Sequence, residues 1–186
     1  MNKLELCLVR HGETEENVAR ILQGHLPGVL TSAGRQQVEQ LRATVNVEDY
    51  DAVCCSDLQR VVDTVEILMR GRCAIPIFQT RLLREIDWGS MTGMKIEDID
   101  LKRLAPDVET REMLYHRAAD AIEFVVSTAR SIAATRVLVV SHGLMLRSLV
   151  AHLTHVPVEG LKTIEHFKNC EARIFTVCNV LDGSDH

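Results

Sequence analysis

Leu4-Glu5-Leu6-Cys7-Leu8-Val9 runs straight into Arg10-His11-Gly12. An apolar stretch this short reads as a strand, and it stops at a cation, an imidazole and a glycine. Two further apolar runs end in a similar way. Ala52 to Cys55 leads into Ser56-Asp57 with Arg60 one turn on, and Val137 to Val140 leads into Ser141-His142-Gly143. Strand-like runs also occur at Ala74 to Phe78 and Arg173 to Val177, and helical periodicity fills most of the spaces between. Ser32 to Val45 places Val38, Leu41 and Val45 on one face behind a Thr31/Ser32 cap. Leu58 to Met69 repeats Leu58, Val61, Val62, Val65, Leu68 and Met69, a longer helix runs from about Thr110 to Ala134, and Leu144 to His155 is stopped by Pro157. The alternation predicts an α/β fold of three layers, α/β/α, around a mainly parallel central sheet.

If the strands before His11, Ser56 and His142 are parallel neighbours, their polar ends meet at one edge of the sheet. A glycine after each histidine permits a tight turn and close approach of backbone N–H groups, and a helix N-terminus favours an anion. Two histidines and two arginines around such a spot suggest a phosphate site. Each residue also has a plainer explanation. His11 or His142 alone reads as a hydrogen-bonded structural residue at a strand end, Arg60 could pair with Asp63 or Thr64 on a solvated helix face, and Glu85 could be one more surface charge beside Arg81 and Arg84. His152 and His155 share a helix face, but no nearby carboxylate or cysteine completes a metal set, so they read as surface histidines. There is no GxxxxGK[ST] loop and no GxGxxG, and Val139 stands where a nucleophile elbow would need glycine before Ser141.

The 186 residues carry 21 Lys+Arg against 26 Asp+Glu, a net charge of −5, with 46% hydrophobic residues. That length and make-up predict one domain over residues 1–181, with a loose tail at 182–186. Gly89, Gly93 and Pro106 break the texture after Arg81, which predicts a short lid insertion at about 81–117 over the sheet edge where ligands of open α/β folds bind. The negative balance and the lack of a basic run argue against a nucleic-acid partner. The longest uninterrupted apolar stretch near the start, Leu6 to Val9, is too short for a membrane span, so no membrane partner and a cytoplasmic location are expected. The six cysteines (Cys7, Cys54, Cys55, Cys73, Cys170, Cys178) form no CxxC pair and are expected to be buried, reduced side chains.

Leu8-Val9-Arg10-His11-Gly12-Glu13-Thr14 followed by Asn17, then Leu22-Gln23-Gly24 and Leu30-Thr31-Ser32-Ala33-Gly34, resembles the signature region of the histidine phosphatase superfamily. Ser56-Asp57-Leu58-Gln59-Arg60 with Thr64, Leu83-Arg84-Glu85 with Gly89 and Gly93, and Ser141-His142-Gly143 continue the likeness over nearly the whole chain. The superfamily contains phosphoglycerate mutases and small cytosolic phosphatases. The resemblance implies a phosphoglycerate mutase-like fold and no cofactor or metal. It implies that His11 becomes phosphorylated, that Arg10, Arg60 and His142 hold the phosphoryl oxygens, and that Glu85 protonates the leaving oxygen. Asn17, the backbone at Gln23 and Gly24, and Gly143 with the amide of Leu144 would touch the phosphate or the rest of the substrate. These roles suit phosphoryl transfer, which is mostly positioning and charge stabilisation. Nearby arginines would keep His11 a free base below neutral pH, and a lidded, partly dehydrated position would help Glu85 hold its proton.

The chain departs from the family pattern at Val108-Glu109-Thr110 with Arg117, where the family writes Gly-Glu-Ser before a downstream arginine. It also lacks the long basic insertion that mutases carry before the helix leading to the second histidine. The short stretch from Met94 to Asp107 therefore predicts a pocket that admits water, and hydrolysis of a small phosphorylated substrate in preference to mutase chemistry. A binding domain without turnover is the remaining alternative; it would have no need of a nucleophile and an acid together. His25, Met91, Met94 and Tyr115 are candidates for reading the rest of the substrate. The strand region around Ile164 to Val177 could lie at a sheet edge and support a homodimer.

Overall fold

The first strand, β1 (Lys3–Arg10), is buried on both faces from Leu6 to Val9, as expected of a strand covered by helices above and below. The computed structural model describes residues 3–100 and 103–178. The expected tail at 182–186 lies outside them. After β1 come a one-turn helix α1 (Glu15–Val18), α2 (Ser32–Leu41), β2 (Ala52–Ser56), α3 (Gln59–Met69) and β3 (Ile77–Thr80). Three short 3-10 turns follow, then α4 (Arg111–Ser131), β4 (Arg136–Ser141), α5 (Gly143–Leu153) and β5 (Ala172–Cys178). The sheet order is β3-β2-β4-β1-β5, with every pair parallel except β1 and β5. This is the expected α/β architecture.

Helices cover both faces. On one side α4 buries Leu114, Ala118, Ala121 and Val125, spaced three or four residues apart, and α5 buries Met145, Leu146 and Leu149 against Leu6, Leu8 and Val139. On the other side α2 and α3 bring Val38, Leu41, Val61, Val65 and Leu68 onto Cys7, Val9, Leu138 and Val140. Each fully buried Val or Leu contributes about 1.5–3 kcal/mol. No helix among the described residues is long and apolar enough to cross a membrane.

Some local expectations shift. α2 stops at Leu41, four residues early, where the chain turns and the Thr44 hydroxyl donates to Leu41 O at 3.0 Å. β3 starts at Ile77 and not Ala74, because Pro76 has no N–H and offers only its carbonyl, which accepts from Val53 N. Only Cys7, Cys54 and Cys55 are fully buried; Cys170 is half-buried, and Cys73 and Cys178 are exposed. Cys73 sits in the loop after α3, and Cys178 faces outward at the end of edge strand β5. Burial pushes the Cys54 and Cys55 thiols up to about 12, which makes both inert. His152 is half-buried, stacked on Tyr115 with centroids 3.8 Å apart and donating to Tyr115 O at 2.7 Å, while His155 is exposed.

The irregular segment after β3 packs on the loop before α2. Met91 and Val108 cluster with Leu22, Gly93 N donates to Leu22 O at 2.8 Å, and Leu22 N donates to Met94 O at 2.9 Å.

Candidate active site

The register Arg10↔Ser141, with β4 between β1 and β2, brings the three polar strand ends side by side. Gly12 and Gly34 let the loop after β1 press on α2. A Cβ at Gly34 would lie 2.1 Å from Glu13 O, and one at Gly12 would lie 2.9 Å from Gly34 O. Thr64, one turn after Arg60 on α3, accepts from Gly12 N at 3.2 Å and donates to Arg60 O at 2.7 Å. It ties the histidine loop to the arginine helix.

His11 is 2% exposed, and its two ring nitrogens have different partners. Nδ1 lies 2.7 Å from Gly12 O, which can only accept, so Nδ1 carries the proton. Arg60 Nε, which can only donate, lies 3.3 Å from Nε2. Nε2 therefore keeps a lone pair. Burial first, then the Arg60 and Arg10 guanidinium groups, hold the imidazole well below its ordinary range, so it stays neutral. The result is an oriented free base ringed by cations.

Arg60 is 1% exposed, and burial lowers it to about 10, still charged at neutral pH. Besides His11 it donates to Leu26 O and to Gly24 O. Three of its five N–H groups are thus engaged and two are left for an anion. Arg10 donates through Nη1 to Phe167 O at 2.7 Å, while its buried Nε has no partner among the described residues. The guanidinium lies in van der Waals range of where a Gly143 side chain would start. His142 is fully buried, edge-on to His11 with centroids 5.2 Å apart, and its Nδ1 has no partner among the described residues. Burial and the same guanidinium groups keep it neutral as well.

Glu85 joins this group from the segment after β3. Its carboxylate accepts from Ile86 N at 3.1 Å, Leu144 N at 3.2 Å and Met145 N at 3.3 Å, so it caps α5, whose own N-cap His142 makes no side-chain cap bond. The loop carrying it is held at each carbonyl from Leu82 to Glu85. Arg117 donates to Leu82 O, Arg84 O and Glu85 O, Ser141 donates to Leu83 O, and His25 Nε2 donates to Glu85 O. Arg117 in turn pairs with Glu109 at 2.7 Å, and Arg84 grips Asp57 with two bonds of 2.6 Å.

The expected substrate contacts are placed unevenly. Gly24, at φ +46°, turns its carbonyl onto Arg60, and the Oε1 of buried Gln23 has no partner among the described residues. Asn17 closes a capping box with Thr14 and accepts from Asn169 at 3.3 Å. The Leu144 amide serves Glu85. His25 lies at the Glu85 loop, Met91 is buried against Leu22 and Val108, and Tyr115 is turned to Val156 O and His152. Sequence reasoning missed the segment that closes the site from the far end of the chain. Phe167 O takes Arg10, Asn169 Nδ2 donates to His11 O at 3.0 Å, and Cys170, at φ +58°, donates its N–H to Arg10 O at 3.1 Å. Nothing in their residue types signals this. A groove of about 380 Å³ on Val62, Met69 and Ile77 shares no residue with the site.

Known proteins are similar to this chain in sequence and in fold. A solved structure of Bacillus stearothermophilus YhfR superposes with a TM-score of 0.83 at 29% identity, covering 92% of this chain and 90% of that one. The "Probable phosphoglycerate mutase GpmB" of Proteus mirabilis is 29% identical over 181 residues, 90% of this chain and 82% of its own length. The adenosylcobalamin/alpha-ribazole phosphatase of Salmonella typhimurium is 42% identical over 69 residues, 37% of this chain and 34% of its own. The profile of the histidine phosphatase superfamily, branch 1, matches residues 6–179, a span that holds both histidines, both arginines and Glu85. With a match of that extent and a fold shared from end to end, the chain belongs to the histidine phosphatase superfamily.

Proposed function

We propose that the protein is a metal-independent phosphomonoesterase that works through a phosphohistidine on a small phosphorylated metabolite. The observation that carries the reading is the state of His11, a neutral imidazole whose Nδ1–H is tied to Gly12 O and whose Nε2 lone pair lies among guanidinium groups. In the first step Nε2 attacks phosphorus, the P–O bond to the ester oxygen breaks, and Glu85 gives that oxygen a proton. Arg10, Arg60 and His142 hold the three equatorial oxygens as charge spreads over them. Gly12 O stabilises the positive charge that the phosphorylated ring acquires. In the second step the Glu85 carboxylate takes a proton from water as its oxygen attacks phosphorus, the P–N bond breaks, and inorganic phosphate leaves with His11 restored.

The test is hydrolysis of a panel of phosphomonoesters in EDTA by the wild type and His11→Ala, with acid quench to capture an acid-labile phosphoenzyme. Turnover and label should both be present in the wild type and absent in the variant. The similarity to the "Probable phosphoglycerate mutase GpmB" of Proteus mirabilis over 90% of this chain favours a second reading, phosphotransfer between substrate hydroxyls. That reading requires label from a bisphosphoglycerate without hydrolysis of any simple ester. Loss of turnover to EDTA would refute both.

A further inference from the structure

Ser56 ends β2 and is fully buried beside fully buried His142. The pairing follows from the sheet, because β2 and β4 are parallel neighbours and His142 comes directly after the last residue of β4. Ser56 Oγ lies 2.8 Å from His142 Nε2. The Leu58 amide donates to the same Oγ at 3.3 Å. An amide N–H can only donate, so it occupies a lone pair of the hydroxyl and leaves the O–H to be directed elsewhere. The acceptor within reach is Nε2.

We propose that Ser56 is a positioning residue that sets the tautomer of His142: its O–H donates to Nε2, so the single ring proton resides on Nδ1. A neutral imidazole has one donor and one acceptor, so fixing one nitrogen fixes the other. Nδ1 is the buried nitrogen without a partner among the described residues, and the ring stands edge-on to His11. Where that nitrogen meets a phosphoryl oxygen, a donor attracts and a lone pair repels. In the ligand-free site burial and the Arg60 and Arg10 guanidinium groups keep His142 neutral, so the tautomer sets what Nδ1 presents to an incoming phosphoryl group. Ser56 therefore decides whether His142 helps or opposes the bound group. The last step rests on the phosphotransfer reading of the site; the tautomer itself does not.

Nitrogen NMR of isotopically labelled histidine tests it, with the His142 signals assigned by their loss in His142→Gln. The wild type should show Nδ1 protonated and Nε2 bare. In Ser56→Ala the proton should move wholly or partly to Nε2, and the Kd for inorganic phosphate should weaken by about tenfold or more, on the scale of losing one preorganised donor. Ser56→Thr, which keeps the hydroxyl, should restore both the tautomer and most of the affinity. A wild-type spectrum with the proton on Nε2 would overturn the proposal even if the alanine variant fails to fold. So would Ser56→Ala with an unchanged tautomer and a phosphate Kd within about twofold of the wild type. If the wild type binds no phosphate, the phosphatase reading fails, and the ligand-free spectra still decide the tautomer.

Discussion

Arg117→Met should injure stability and leaving-group chemistry together. The wild-type guanidinium makes bonds of 2.8 and 2.7 Å to Glu109 and of 2.9, 2.8 and 3.0 Å to Leu82 O, Arg84 O and Glu85 O. Methionine keeps the apolar stem and removes all five. Glu109, with only 11% of its side chain exposed, is then a charge whose remaining bond is from Asp87 N. Stranding one partner of a buried pair costs about 3–5 kcal/mol, and the 19% exposure of Arg117 moves the expectation to roughly 2–4 kcal/mol. For a domain of this size that is a fall in Tm of roughly 5–15 °C. The Glu85 carbonyl keeps His25, but its loop loses the anchors at Leu82 and Arg84 just before it. Turnover of an alkyl phosphate, which needs a proton delivered to the departing oxygen, should drop by more than turnover of nitrophenyl phosphate, which does not. Adding Glu109→Leu should recover part of the lost stability, because the pair is then absent and not broken. A Tm within about 2 °C of the wild type, or equal losses on the two esters, would refute the reasoning.

The other expectations concern the acid, the histidines and the loop. Glu85→Gln should slow alkyl phosphate hydrolysis far more than nitrophenyl phosphate hydrolysis while phosphoenzyme still forms from the latter; a uniform loss in single-turnover assays would remove Glu85 as the acid. Because His11 and His142 are held neutral in the folded chain and titrate near 6.5 when unfolded, the unfolded state takes up more protons below that pH. Stability should therefore decline from about pH 6.5 downward and be flat above it with respect to these groups. Thermal melts between pH 7.5 and 5.5 should show the fall in the wild type and a smaller one in His142→Gln, and a pH-independent Tm would count against it. Gly34→Ala places a Cβ 2.1 Å from a backbone oxygen, so it should cost at least the about 1–3 kcal/mol of ordinary overpacking, measured by urea unfolding. A neutral result would mean that the loop after β1 is free to move off α2.

The sheet and the heart of the site were legible because both are written locally. Leu4 to Val9, Ala52 to Cys55 and Val137 to Val140 are short apolar runs that break at polar residues, and their parallel register needs only that they be neighbours. Arg10, His11, Arg60 and His142 follow from those breaks. Glu85 stands beside a strand end and was legible by the motif around it. The Phe167 to Cys170 closure was not, since Arg10 and Phe167 are 157 positions apart and the contact is to a backbone oxygen, which every residue type possesses. The same holds for Arg117, whose targets on the Glu85 loop are carbonyls. Cys73 and Cys178 differ from the buried cysteines only in lying in a loop and at the end of an edge strand, a property of tertiary position and not of the cysteine.

The place of β1 between β4 and β5 bears on how the protein is made. β1 is flanked by two strands whose pairing residues begin at Arg136 and Ala172, so neither of its edges can pair until the chain has been made beyond Arg136. The loop that holds His11 is finished later still, when Asn169 and Cys170 arrive to bond its backbone. A nascent chain therefore closes the backbone around His11 only once Asn169 and Cys170 have been made, and a message truncated shortly before Asn169 would yield a product with most of its sheet and an unfinished His11 loop.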